Sequence, residues 1–200
     1  MTVLKYPFDE RSVRALKAGN AVSITGRIYT GRDKFHKYVA DGGEMPVDFR
    51  DGALYHCGPV VVEENGGYRV VAAGPTTSVR ENPYEPDFIA KSGVRLIIGK
   101  GGMDAATLEA MRRHGCVYVQ AVGGAAALCA ASVRKVAGVS LLDEFGAAEA
   151  VWHFDVVGFK GVVAMDSHGG SLFADVAAAS KRRLAALLSL EEYAFNTGHR

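Results

Sequence analysis

Cysteine is scarce in this chain, with three in 200 residues. Cys57, Cys116 and Cys129 are odd in number and far apart, which argues against a disulfide scaffold and fits a reducing compartment. The cytoplasm is the expected location. None of the three has the close spacing of a metal or iron–sulfur site. Cys116 heads an apolar run and Cys129 sits in an Ala-rich stretch, as buried structural thiols do. The six histidines contain no His-x-x-x-His pair, so the chain is expected to hold no metal of its own. A charge excess is also missing: 23 basic residues face 22 acidic ones, a net of +1. The densest basic cluster is only Lys181-Arg182-Arg183, which disfavours a nucleic-acid binder. Long apolar runs are absent as well. The stretch Gly123–Ser132 is far short of the ~20 residues of a membrane span, so no membrane partner is expected. Asp9, Glu10, Arg11 and Arg14 within Met1–Lys17 make a secretory signal an unsuitable reading of the N-terminus. No internal repeat and no low-complexity linker breaks the chain.

What is present suffices for one compact domain, because 48% of the residues are hydrophobic and 200 residues can enclose a core. Glu10–Ala18 reads as a short helix and Ala21–Tyr29 as a strand. Lys34–Val39 reads as a helix stopped by Asp41-Gly42-Gly43. Pro59–Glu63 and Tyr68–Ala72 flank Asn65-Gly66-Gly67, a hairpin signal because Asn and Gly tolerate positive φ. The second half alternates: strand Val94–Ile98, helix Asp104–His114, strand Cys116–Val122, an Ala-rich helical stretch, then strands Val151–Val157 and Val162–Met165. Lys181–Phe195 reads as a closing amphipathic helix. Hairpin-forming strands followed by strand–helix alternation predict a single α/β domain over residues 1–200 with a mixed sheet. Residues 174–200 read as a C-terminal helical extension.

Three segments at strand ends concentrate unusual chemistry. One is Thr25-Gly-Arg-Ile-Tyr-Thr-Gly-Arg-Asp33, with His36 one helical turn beyond Arg32. The second is Gly74-Pro-Thr-Thr-Ser-Val-Arg80, and the third is Ile98-Gly-Lys-Gly-Gly102. Strand ends of α/β proteins open onto ligand crevices, and a Gly-rich turn beside a cation suits an anion. Arg32, Arg80 and Lys100 supply the cations. Thr76, Thr77 and Ser78 supply neutral hydrogen-bonders. Arginine forks match carboxylates, so the set suits a small hydroxylated dicarboxylate. Each piece alone has a plainer explanation: an ion pair at a helix start for Arg32-Asp33, and a turn with an N-cap for Gly74–Ser78. A phosphate loop is excluded at Lys100, since no Gly stands five residues before Gly99 and no Ser or Thr follows the lysine.

Taken together, Ile-Tyr-Thr-Gly-Arg-Asp-x-x-His, Gly-Pro-Thr-Thr-Ser-x-Arg and Ile-Gly-Lys-Gly resemble the C-terminal half of class I fumarases. The same half occurs as the separate beta subunit of two-subunit fumarases and L-tartrate dehydratases. The resemblance runs from about Pro7 to Phe173. It includes Leu54-Tyr55-x-x-Gly58-Pro59, Gly123-Gly124-Ala125-Ala126-Ala127, Glu149-Ala150-Val151-Trp152 and Asp166. One departure is Glu81, where a Met often follows the motif's arginine.

The resemblance implies a swivelling β/β/α domain that works against an alpha subunit, in an assembly expected to be α2β2. Three cysteines of that alpha subunit would carry a [4Fe–4S] cluster whose open iron acts as a Lewis acid on the substrate hydroxyl. It also implies a hydro-lyase acting on a 2-hydroxy dicarboxylate, with fumarate/malate first and tartrate/oxaloacetate next. By motif match, Thr76 is the proton abstractor, Arg32, Thr77, Arg80 and Lys100 bind substrate, and Asp33, His36, Ser78 and Gly101 support them. The competing reading is a dicarboxylate-binding or regulatory domain that keeps the clamp but has no enzyme partner.

Overall fold

A computed structural model of the chain describes the backbone of residues 1–197 and the side chains of residues 1–188. The chain runs β1 (Thr2–Lys5), α1 (Glu10–Arg14), β2 (Ala21–Thr30), α2 (Asp33–Ala40), β3 (Ala53–Tyr55), β4 (Val60–Glu64) and β5 (Gly67–Ala72). A 3₁₀ turn (Ser78–Glu81) leads to α3 (Glu85–Ser92), β6 (Leu96–Gly99), α4 (Ala105–His114), β7 (Val117–Gln120) and α5 (Ala126–Ala131). Then come β8 (Val133–Ser140), α6 (Leu142–Phe145), β9 (Val151–Met165) and α7 (Leu172–Thr197).

The main sheet has the order β1-β2-β3-β6-β7-β9-β8, and β2 also pairs with β9. That extra pairing closes β2, β3, β6, β7 and β9 into a barrel, which removes the open edges these strands would otherwise present. Strands β2, β3, β6 and β7 are mutually parallel in this order, and β9 runs antiparallel to both β7 and β2. The closed mixed sheet with helices packed outside it is a swivelling β/β/α domain, as the family resemblance implies.

Alternation along the parallel strands builds two cores from one set of apolar runs. Ala53, Tyr55, Leu96, Ile98, Val117 and Val119 face the barrel interior with Ile24, Ile28, Phe154 and Phe159. Leu54, Ile97 and Tyr118, the residues between them, pack outward with Phe35, Phe49, Phe88, Ile89 and Met111. Gly26 allows β2 to change partners. The register shifts between Ile24 and Gly26, Gly26 has φ +122°, and a Cβ there would press into Tyr6. Before this point β2 pairs with β1, and beyond it with β3.

Several elements differ from the sequence reading. The two strands foreseen at Val151–Val157 and Val162–Met165 are one continuous strand, β9. Gly158 stands between them at φ +70°, and pairing with β2 on both sides of it carries the strand through. Helix α1 ends at Arg14, shorter than the foreseen Glu10–Ala18, because the chain turns there to dock Ala18 and Gly19 against the end of β9. Strand β8 and helix α3 had no periodic signal strong enough to announce them. The hairpin forms as expected, with Asn65 and Gly66 both at positive φ. The closing helix is α7, which starts at Leu172 rather than Lys181; the side chains of 189–200 lie outside the described residues. Among the described residues, no helix is long and apolar enough to cross a membrane.

Candidate functional site

The parallel strands β2, β3, β6 and β7 end at the same rim of the barrel, and all three motif segments lie there. Arg32 follows β2 and is the N-cap residue of α2, without a capping bond of its own. Glu149 supplies that cap from across the rim, its carboxylate accepting from the Lys34 N–H at 3.2 Å and pairing with the Arg32 guanidinium at 3.3 Å. Glu149 is held by its neighbours. The Thr30 hydroxyl donates to the Ala150 carbonyl at 3.1 Å and accepts from the Trp152 N–H at 2.9 Å. The Arg32 side chain crosses directly over Gly58 and donates to the Ala148 carbonyl at 3.3 Å. Any Cβ at Gly58 would occupy the guanidinium's place.

The Gly74–Arg80 segment threads between two strand ends. Cys57 bridges Pro75, and Thr77 bridges Lys100 in parallel. The Thr76 N–H donates to the His56 carbonyl at 2.7 Å, and the Ser78 N–H to the Lys100 carbonyl at 3.0 Å. These bonds fix the positions of Thr76 and Arg80 relative to Lys100. Arg80 then donates to the Thr76 hydroxyl oxygen at 2.7 Å. Asp33 lies between the two arginines, 3.8 Å from Arg32 and 3.4 Å from Arg80. A continuous polar chain therefore runs Arg32, Asp33, Arg80, Thr76. Lys100 is half-buried beside Gly123, and among the described residues no carboxylate forms an ion pair with it.

Not every sequence-predicted residue faces the crevice. Thr76 is half-buried, and Thr77 and Arg80 are exposed. Ser78 is turned inward and fully buried, its hydroxyl 2.8 Å from His56 Nδ1 and 2.9 Å from the Tyr118 hydroxyl. It cannot reach a ligand in the crevice, so Thr76 and Thr77 are left as the hydroxyl donors there. The Gly101 N–H donates to the Gln120 side chain at 3.2 Å and is thus already occupied. His36 is buried behind Arg32, with Nδ1 3.0 Å from the Arg32 carbonyl. Four residues that sequence reasoning did not place here, His56, Glu85, Tyr118 and Glu149, belong to this assembly. Glu149 lay inside a motif already singled out, whereas His56 fell on an unspecified position of another, Leu54-Tyr55-x-x-Gly58-Pro59.

Behind the rim, Glu81, Glu85, His36 and His56 are all fully buried. Burial pushes the Glu81 carboxyl up to about 8. Burial also opposes the charge on Glu85, but His36 and His56 outweigh it and hold that carboxyl below the ordinary range. The cysteines do not converge. Cys57 and Cys129 belong to the barrel core and Cys116 to the outer one, and burial raises all three thiols. An iron–sulfur cluster needs ionised thiolates gathered at one point, so this set does not fit one.

The family profile described as Fumarase C-terminus matches residues 2–176. The chain belongs to the fumarase C-terminus family. A protein of Geobacillus stearothermophilus provisionally named a class I fumarate hydratase is 50% identical over 182 residues, which cover 90% of this chain and 35% of that relative. The chain thus spans about a third of that relative's length. A protein of Methanocaldococcus jannaschii provisionally named L(+)-tartrate dehydratase subunit beta is 40% identical over 181 residues, covering 86% of this chain and 93% of the relative. The L(+)-tartrate dehydratase subunit beta of Escherichia coli K12 is 31% identical over 175 residues, 86% of this chain and 87% of its own. In this fumarase C-terminus member, the three motif segments are the rim of the barrel.

Proposed function

We propose that this chain is the substrate-clamping subunit of a hydro-lyase that reversibly adds water across the double bond of an unsaturated dicarboxylate. Fumarate/malate is the first substrate pair and tartrate/oxaloacetate the second. The observation that supports this reading best is the polar chain Arg32–Asp33–Arg80–Thr76, set beside the half-buried Lys100 on one rim. Arg32 and Arg80 would receive carboxylates through planar forks, and Lys100 would add a point charge. Asp33 and Glu149 hold the two guanidiniums in position without substrate, so little ordering remains to be done on binding. The same cations would stabilise the charge that spreads onto a carboxylate when the adjacent carbon loses its proton. Thr76 would move that proton: Arg80 donates to its oxygen and places positive charge beside the atom that must carry more negative charge.

A [4Fe–4S] cluster, which would supply Lewis acidity toward the substrate hydroxyl, finds no thiolate set in this chain. The reading therefore requires an alpha-type subunit that carries it on three cysteines, in an α2β2 complex within the cytoplasm. Co-expression with such a chain under anaerobic conditions, followed by fumarate-hydration and L-tartrate-dehydration assays, tests the proposal. Turnover of either substrate supports it. A correctly assembled, cluster-loaded complex that turns over neither would overturn it.

A further inference from the structure

The fully buried group behind the rim has more polar atoms than hydrogen bonds. His36 Nε2 lies 3.2 Å from Glu85 Oε2, and His56 Nε2 lies 3.1 Å from the same oxygen. Yet neither Nε2, neither Glu85 oxygen and neither Glu81 oxygen makes a directed hydrogen bond. Six buried polar atoms in one cluster without a directed hydrogen bond are unusual, since buried polar groups are almost always satisfied. The atoms are close, but they do not point along the lines that join them. Ligands converging on a common centre have that arrangement. An ion about 2.1 Å from each ligand in tetrahedral geometry sets ligand–ligand edges of roughly 3.4 Å, close to the separations found here. One ligand atom from each of His36, His56 and Glu85 lies within 4.8 Å of the other two.

We propose that His36, His56 and Glu85 bind a divalent first-row transition metal ion, a structural staple behind the anion-binding rim. The chemistry of the donors agrees with this, since two imidazoles and a carboxylate are a common set for zinc and its neighbours. The outer ring nitrogens are already engaged. His36 Nδ1 faces the Arg32 carbonyl at 3.0 Å and Glu81 at 3.5 Å, and His56 Nδ1 faces the Ser78 hydroxyl at 2.8 Å. Such outer bonds set the tautomer that presents Nε2 as a lone pair, as they do around most metal-bound histidines. A 2+ ion also offsets the carboxylate of Glu85, which would otherwise be costly to bury. A narrow hollow of about 30 Å³, lined by His36, Tyr84, Asp87 and Lys91 among others, leads toward His36. The three ligands come from α2, the residue after β3 and the first turn of α3. The ion therefore joins α2, which begins beside Arg32, to α3 and to His56, the residue that Thr76 and Ser78 bond. Spacing along the chain gave no hint of it, since no two of these ligands are neighbours in sequence.

The test uses the full chain, purified without a polyhistidine tag, stripped with a chelator and titrated with Co2+ and then Zn2+. Binding of one Co2+ per chain is expected, with visible d–d bands and no thiolate charge-transfer band. Zn2+ should displace it and raise Tm. Glu85→Gln and His56→Gln should each weaken Co2+ binding by at least ~100-fold, beyond the 10–100-fold typical of losing an outer partner. Three results would each overturn the proposal: no saturable Co2+ binding and no Zn2+-dependent rise in Tm in the wild-type chain, a thiolate charge-transfer band, or unchanged affinity in a folded Glu85→Gln protein. The wild-type titration decides the matter even if a variant fails to fold.

Discussion

Thr76 offers one oxygen that already accepts from Arg80 at 2.7 Å, so its role divides cleanly between chemistry and scaffolding. Thr76→Val keeps the volume and the β-branching. In the complex with an alpha-type chain, kcat is expected to fall by ~10²-fold or more, the usual scale for a positioned acid or base, with Tm little changed. A loss of roughly 0.5–2 kcal/mol in stability with turnover intact would assign the hydroxyl to holding the turn instead. Melting and steady-state rates on one sample separate the two. Gly99 is a second sensitive point. A Cβ there would drive into the Ser78 hydroxyl and sit 3.0 Å from the Tyr118 oxygen and 3.2 Å from His56 Nδ1. Gly99→Ala should cost about 1–3 kcal/mol, as overpacked cores do, or roughly 2–12 °C in Tm for a domain of this size. Adding Ser78→Gly should recover part of that loss, a non-additivity that identifies the contact. Glycine at position 99 was legible in the sequence as part of a motif. Its reason, a serine folded inward from another segment, was not.

At the scale of elements, the turn from β9 to α7 shows how a supporting residue of the family pattern does its work. The Asp166 carboxylate accepts from the N–H groups of His168 and Gly170 at 2.9 Å each, and from that of Ala18 at 2.9 Å. It thereby ties the end of α1's loop to the last strand. Burial opposes the charge, but these N–H donors prevail and hold the carboxyl below its ordinary 3.8. Because the folded value lies below the unfolded one, the stabilisation is complete above roughly pH 4 and is lost as pH falls through the folded value. Asp166→Asn places an amide against one of the N–H groups. It is expected to lower stability at neutral pH by about 1–3 kcal/mol and to flatten the acid limb of a Tm-against-pH profile. An acid limb as steep as wild type would remove Asp166 from this role. Elements with strong local signals, such as the Asn65-Gly66 hairpin and the Asp104-capped α4, were legible in advance. Strand β9 was read as two segments, and its pairing with β2 on both sides of Gly158 makes it one.

At the scale of the whole molecule, the barrel gathers cations on one rim but gathers no thiols. The isolated chain is therefore expected to be colourless, to contain no acid-labile sulfide and to be inactive on fumarate or L-tartrate. Absorption spectra, sulfide assay and turnover before and after adding an alpha-type chain check this directly. Stoichiometric sulfide in the isolated chain, lost on Cys129→Ser, would contradict the division of labour between subunits. The relatives match this architecture in two ways: the chain corresponds to 35% of the Geobacillus protein and to 93% of the Methanocaldococcus one. The same unit thus occurs within a longer chain and nearly on its own.

Chain order alone was enough for the fold class, the family and the three motif segments that meet at the rim. Each of these is written in short contiguous patterns: alternation along strands, Gly-containing turns, and arginines a few residues beyond strand ends. Barrel closure, the inward turn of Ser78, Glu149 as the partner of Arg32, and the meeting of His36, His56 and Glu85 were decided only by tertiary structure. Those relationships join residues separated by up to 141 positions, as in Ala21 and Val162 across the barrel closure. A local pattern constrains the backbone within a few residues, whereas the meeting of distant side chains depends on which strands pair and in what register.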